Sequence, residues 1–208
     1  RDTRVYAFNN YRKINSIYGY AYVYGYEMEK ELIKAVSGIT GLPVHYFAII
    51  NVKAFREIVD ELGGVEFNLK RDYDYVDPYQ NLSIHLKKGN QILDGEDAEG
   101  LVRYRADYVR GDIERIEVQH EFISELIRQK LNLKYISKAD NIYKKVTKNV
   151  ISNMKVGDII KYGKAAVNYG NIQSYTLPGT ESISPYWVKD DEETAKLLTE
   201  VFGYDNLN

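Results

Sequence analysis

The chain has 208 residues, 44% of them hydrophobic and 28% charged, with a formal net charge of -2 and no cysteine. The length suits one globular domain. The missing cysteines exclude a disulfide scaffold, a thiolate metal site and a cysteine nucleophile, and the near-neutral charge argues against general nucleic-acid binding.

Residue 1 is Arg, and RDTRVYAF reads as the end of an element already under way; the expectation is a piece that has lost its natural start. Tyr18, Tyr20, Tyr22, Tyr24 and Tyr26 alternate, and would share one face of an extended segment, as on a sugar-binding groove or an outer sheet face. Residues 28–41, MEKELIKAVSGITG, predict a helix closed by Gly38 or Gly41. The apolar run 44–52 predicts a buried strand. Residues 53–64 predict an amphipathic helix ended by Gly63-Gly64, and VEFNL at 65–69 an alternating strand.

Residues 70–90, rich in Asp, Pro and Asn, read as a long loop. Asp72, Asp74 and Asp77 lack the Gly and Glu of a calcium loop. A short helix at 94–103 is capped by Asp94, and a long one at 113–131 shows the apolar stripe Ile116, Ile123, Ile127 and Leu131. Residues 138–154 continue helical, 155–168 form another helix, 172–179 a strand, and 186–203 a strand followed by a helix started by Asp190 or Asp191. Alternating helices and strands predict a layered α/β domain. His45, His85 and His120 are scattered without zinc-ligand spacing, no Gly-x-Ser-x-Gly elbow is present, and no segment reaches the ~18 apolar residues of a membrane span.

The densest charge lies in LVRYRADYVRGDIERIEVQ, 101–119. If 103–105 is extended, Arg103 and Arg105 point to one side; in a helix they diverge by about 200°. Arg115 and Gln119 lie four apart on one helix face. Asp112 suits the start of that helix, whose N–H groups favour an anion. The pattern fits either a pyrophosphate or phosphodiester clamp, since guanidinium forks match phosphate oxygens, or a solvated face of weak surface ion pairs.

Five stretches in order resemble the LytR-CpsA-Psr family of bacterial envelope proteins. They are RDT (1–3), KINSIYGYAYVYG (13–25), GLPVHYFAIINVKAFREIVDELGGVEFNL (41–69), LDGEDAEGLVRYR (93–105) and GDIERIEVQ (111–119). This chain departs from the family pattern at Val118, where Arg is frequent, and at Ala98-Glu99-Gly100-Leu101, where the pattern runs Ala-Leu-x-Tyr.

The resemblance implies a layered α-β-α sandwich with a central mixed sheet, a single domain over 1–208. It also implies a phosphotransferase that moves a glycopolymer of teichoic acid or capsule type from a polyprenyl-pyrophosphate carrier onto peptidoglycan, with magnesium. Arg1, Arg103, Arg105, Arg115 and Gln119 would bind the pyrophosphate, Arg1 and Asp112 would be catalytic, and Asp112 would position the arginines. The acidic metal ligands, the first strands and a single N-terminal membrane helix are expected upstream of residue 1, with the domain on the extracellular face. An apolar tunnel for the polyprenyl tail would be lined by Leu32, Val36, Phe55, Val59, Leu62, Ile123 and Ile127, positions that helical spacing alone reads as core. The other family reading is a non-catalytic binding or regulatory member of the transcriptional-attenuator type. Nucleic acid is not an expected partner.

Overall fold

Three helix starts show why the chain breaks where it does. The side chains of Asn51, Asp94 and Asp190 accept N–H groups of the first turn at 2.8–3.0 Å, from Ala54, from Glu96 and Asp97, and from Glu193. Each cap satisfies donors that have no partner inside the helix. A computed structural model describes residues 3–108, 112–169, 173, 175–183 and 186–203, with the backbone alone at 112, 169 and 181–183.

In chain order the elements are β1 (Arg4–Ala7), β2 (Asn10–Lys13), α1 (Ile17–Tyr24), α2 (Met28–Thr40), β3 (Ala48–Ile50), α3 (Val52–Glu61), β4 (Val65–Leu69), β5 (Tyr73–Asp77), β6 (Leu82–Leu86) and β7 (Gly89–Leu93). They continue with α4 (Gly95–Arg103), α5 (Asp112–Lys130), α6 (Leu133–Ile136), α7 (Ala139–Val146), β8 (Val150–Ser152), α8 (Val156–Tyr169), β9 (Gly179–Ile183), β10 (Tyr186–Lys189) and α9 (Asp191–Phe202). Among the described residues the strands pair antiparallel as β1–β2, β3–β8, β4–β7, β5–β6 and β9–β10, and Thr3 bridges Trp187 in parallel. The expected α/β class holds.

The chain divides into two compact units, residues 1–45 with 175–208, and residues 46–174. The first buries Val5, Ile17, Ala35 and Ile39, with Leu177 from the far end of the chain packed against them. Of the alternating tyrosines, Tyr18, Tyr20, Tyr22 and Tyr24 lie on a helix, α1, so alternation spreads them around the axis instead of lining one face, and Tyr26 follows its Gly25 cap. Arg12 stacks on Tyr20 at 3.6 Å and Arg4 on Tyr11 at 3.5 Å, each within cation–π range.

In the second unit β4 alternates strictly, with Val65, Phe67 and Leu69 inward. They meet Val59 of α3, Leu93 of β7, Ala98 and Leu101 of α4, and Phe122 of α5. Residues 70–90 are not one loop. They hold β5 and β6, paired from Tyr73–Leu86 to Asp77–Leu82. The aspartates there are partly structural: Asp77 caps the turn through Tyr79 and Gln80, and Asp72 accepts from Lys88 N and Lys87.

The buried strand expected over 44–52 is only β3, with Ala48 and Ile50 exposed. Residues 138–154 break after α7 to form β8, which pairs with β3. Residues 173 and 175–178 carry no strand, which begins at Gly179. On α5 the deeply buried positions are Arg115 and Phe122, while Ile123 is 41% exposed.

Candidate functional site

The α4 helix is held at its start by Asp94 and by Asp60 Oδ1, which accepts from Gly95 N at 2.7 Å. It stops at Arg103, and Tyr104 adopts an extended backbone (φ -57°, ψ 140°). Tyr104 turns inward, 1% exposed. Arg103 and Arg105 flank it as alternate residues of an extended step, the geometry that lets two guanidiniums serve one side.

Arg103 is already engaged. Its Nη1 donates to Glu99 Oε1, and its Nη2 donates to Gln80 Oε1 at 2.8 Å. Glu99 Oε2 lies 3.1 Å from Arg56 Nε of α3. Glu99 is 7% exposed, so a buried carboxylate is clamped between two cations. Such a charge needs both partners and their hydrogen bonds to offset desolvation. Glu99→Gln keeps the shape and removes the charge. It is expected to cost about 1–3 kcal/mol in urea unfolding, the range for charged hydrogen bonds, moderated because both arginines can turn to water.

On α5, Arg115 and Gln119 share a face one turn apart. Arg115 is 5% exposed. Gln119 Nε2 donates to Val102 O at 2.7 Å. That carbonyl belongs to the last turn of α4, which has no helical donor. Gln119 therefore ties the Arg115 face of α5 to the residue before Arg103. Asp112 opens α5, but its side chain lies outside the described residues, as do Arg1 and Arg110.

A tyrosine cage pins the segment that carries Arg105. The Arg71 guanidinium lies 4.7 Å from the Tyr108 ring centroid, 5.4 Å from Tyr73 and 5.8 Å from Tyr104, and donates to Asp107 O at 3.1 Å. Tyr104 donates its hydroxyl to Asp107 Oδ2 at 2.5 Å. Burial pushes both the Tyr104 and Tyr108 hydroxyls up to about 12, so both stay protonated at neutral pH.

The same unit holds an apolar cleft of about 380 Å³, walled by Ile58 and Leu62 of α3, Ile127 of α5, Ile142 and Val146 of α7 and Ile159 of α8. Ala48 and Ile50 also face it, which explains an apolar run that is not buried in a packed core. An elongated chain of hydrocarbon suits such a wall. On the outer face of β5–β6, His85 joins Ser83 and Asp74 at 2.9 Å each. All three are exposed, and acyl transfer needs a water-excluded oxyanion site.

The LytR_cpsA_psr family profile matches residues 1–202. The chain belongs to the LytR-CpsA-Psr family. It is 29% identical over 191 residues to the polyisoprenyl-teichoic acid–peptidoglycan teichoic acid transferase TagU of Bacillus subtilis, covering 90% of this chain and 58% of that protein. It is 32% identical over 154 residues to the cell wall biosynthesis protein LcpA of Corynebacterium glutamicum, covering 72% of this chain and 29% of LcpA. The crystal structure of B. subtilis TagV superposes with a TM-score of 0.78 at 24% identity, over 99% of this chain and 82% of that one. The chain thus has the fold of the family's solved domains and spans less than two thirds of either curated relative.

Of the LytR-CpsA-Psr motif residues, Arg103, Arg105, Arg115 and Gln119 come from the joined ends of α4 and α5. Among the expected tunnel residues, Leu62 and Ile127 line the cleft. Val59 is fully buried in the packed core with Phe55 against it, Ile123 is exposed, and Leu32 and Val36 belong to α2 of the first unit. Among the described residues no group of three or more His, Asp or Glu could hold a metal ion. The described residues therefore offer no ligand set for magnesium. Sequence spacing overlooked Arg56, Gln80 and Arg71. Glu99 was visible as an acid four residues before Arg103, the spacing of a helical ion pair.

Proposed function

We propose that this domain transfers a glycopolymer from a polyprenyl-pyrophosphate carrier to peptidoglycan, on the outer face of a bacterial membrane. The observation that carries the proposal is the tie from Gln119 to Val102, which sets the Arg115 face of α5 against the end of α4 where Arg103 and Arg105 emerge. The apolar cleft in the same unit supports a lipid-linked substrate, and the teichoic acid transferase among its relatives supports the class of reaction.

The acceptor hydroxyl oxygen attacks the phosphorus that bears the sugar and loses its proton. A new P–O bond forms, the bridging P–O bond breaks, and polyprenyl monophosphate leaves. The product is a phosphodiester. The arginines neutralise charge that spreads over the transferring and leaving oxygens, the largest demand in phosphoryl transfer. Arg103 stays oriented by Glu99 and Gln80, and Arg105 is the exposed member that can close on ligand.

Farnesyl diphosphate binding by calorimetry tests the site. Arg105→Ala is expected to weaken it more than tenfold, about 1.4 kcal/mol or more, as for loss of a charge-assisted contact. Equal affinity of the variant would remove the proposal. The second reading, a binder without transfer, draws on the prior engagement of Arg103. It predicts diphosphate binding with no labelled glycan reaching peptidoglycan.

A further inference from the structure

Residues 128–164 contain ten Lys and Arg against two acids, while the rest of the chain carries 18 Lys and Arg against 28 Asp and Glu. A chain of net charge -2 is therefore two strongly opposed blocks, and the basic block is the run that forms α6, α7, β8 and the first part of α8. Lys134, Lys138, Lys148, Lys155, Lys161 and Lys164 are exposed and make no ion pair among the described residues. The same helices present Tyr135 and Ile136, Ile142 and Val146, and Ile159 to the apolar cleft.

We infer that this lysine-rich surface docks on an anionic lipid bilayer. Charge alone fits any polyanion. The side chains among the lysines favour a bilayer. Leu133 is 63% exposed, Ile151 45% and Tyr162 43%. Lys130 and Lys134 lie 5.4 and 5.3 Å from the Tyr135 ring, and Lys161 lies 5.3 Å from Tyr162. Tyr and Lys side chains with exposed aliphatics are the composition of a membrane interface, where rings sit at headgroup level and ammonium groups reach the phosphates. A soluble polyanion has no use for the exposed Leu133. The inference deepens the proposed function, since it sets the wall of the cleft against the source of a lipid-linked substrate, and it rests on that reading only for the lipid's identity.

Sedimentation with vesicles tests it, using phosphatidylcholine alone and phosphatidylcholine with phosphatidylglycerol in equal parts. The chain is expected to pellet with the mixed vesicles, to stay in solution with the neutral ones, and to be released by high salt. Lys134→Glu, Lys138→Glu and Lys148→Glu together are expected to weaken binding about 100-fold, since each lysine near an anionic surface contributes roughly fivefold. Lys30→Glu, Lys34→Glu and Lys196→Glu change net charge equally on the first unit and are expected to leave binding within about twofold, the control for global charge. Leu133→Ser is expected to weaken it severalfold.

Equal pelleting with neutral vesicles, no pelleting with either, or equal loss in both triple variants would overturn the inference. So would polyphosphate binding as tight as vesicle binding with no effect of Leu133→Ser, which would assign the surface to a soluble polyanion. The vesicles hold no polyprenyl lipid, so failure here leaves glycan transfer standing, and failure of transfer leaves bilayer docking standing.

Discussion

Phe122→Ala is expected to lower stability by about 3–5 kcal/mol, as for loss of a fully buried ring. Phe122 is fully buried and packs between Phe55 at 5.9 Å and Phe67 at 5.8 Å, joining α5 to α3 and β4. Alanine removes the ring and leaves a cavity that three rigid elements cannot close. Urea unfolding followed by circular dichroism gives the shift in midpoint. The loss carries a functional consequence, because α5 bears Arg115 two turns and Gln119 one turn before Phe122. Farnesyl diphosphate binding should fall along with stability in this variant, while Ile123→Ala, at an exposed position on the same helix, changes both little.

Gly95→Ala is expected to cost about 3 kcal/mol, at the upper end for forcing extra atoms into a packed contact. A Cβ at Gly95 would lie 2.5 Å from Arg56 O, 2.8 Å from Arg56 Cα and 2.8 Å from Asp60 Oδ2. Backbone cannot rotate away, so α4 must withdraw from α3. That movement separates Arg56 from Glu99 and disturbs the orientation of Arg103. Calorimetry is expected to give weaker diphosphate binding than unfolding alone explains, measured well below the thermal midpoint. A Gly95→Ala protein with normal stability would contradict the packing described for α3 and α4.

Much of the fold was legible because its punctuation is local. Asp94, Gly63 and Asp190 mark ends through their own side chains or backbone freedom, and such signals survive any tertiary context. Of the candidate arginine site, the turn between Arg115 and Gln119 was legible as spacing, while the step between Arg103 and Arg105 stood open between extended and helical until the end of α4 was placed. The misses share a different cause. On α5 a buried arginine stands where the period calls for an apolar residue, so the stripe was read one position late, at Ile123 instead of Phe122. In 70–90 the acids that suggested a loop frame a hairpin: Asp74 is on the outward side of β5, Asp72 precedes the strand and Asp77 caps the turn after it, with Tyr73, Ile84 and Leu86 inward. The apolar run around β3 looked like a buried strand because a cleft and a core place the same demand on composition. The basic block was hidden by the sum, since 128–164 is cancelled by the acids elsewhere.

The first unit is assembled from both ends of the sequence, and this sets the order in which the molecule can be made. Residues 46–174 leave the ribosome as an uninterrupted stretch and can close their core while synthesis continues, at about 5–20 residues per second. The cluster of Val5, Ile17, Ala35 and Ile39 gains Leu177, and Thr3 its bridge to Trp187, only after that stretch has been made. Until then the side of that cluster which Leu177 covers stays open through the production of an entire neighbouring unit.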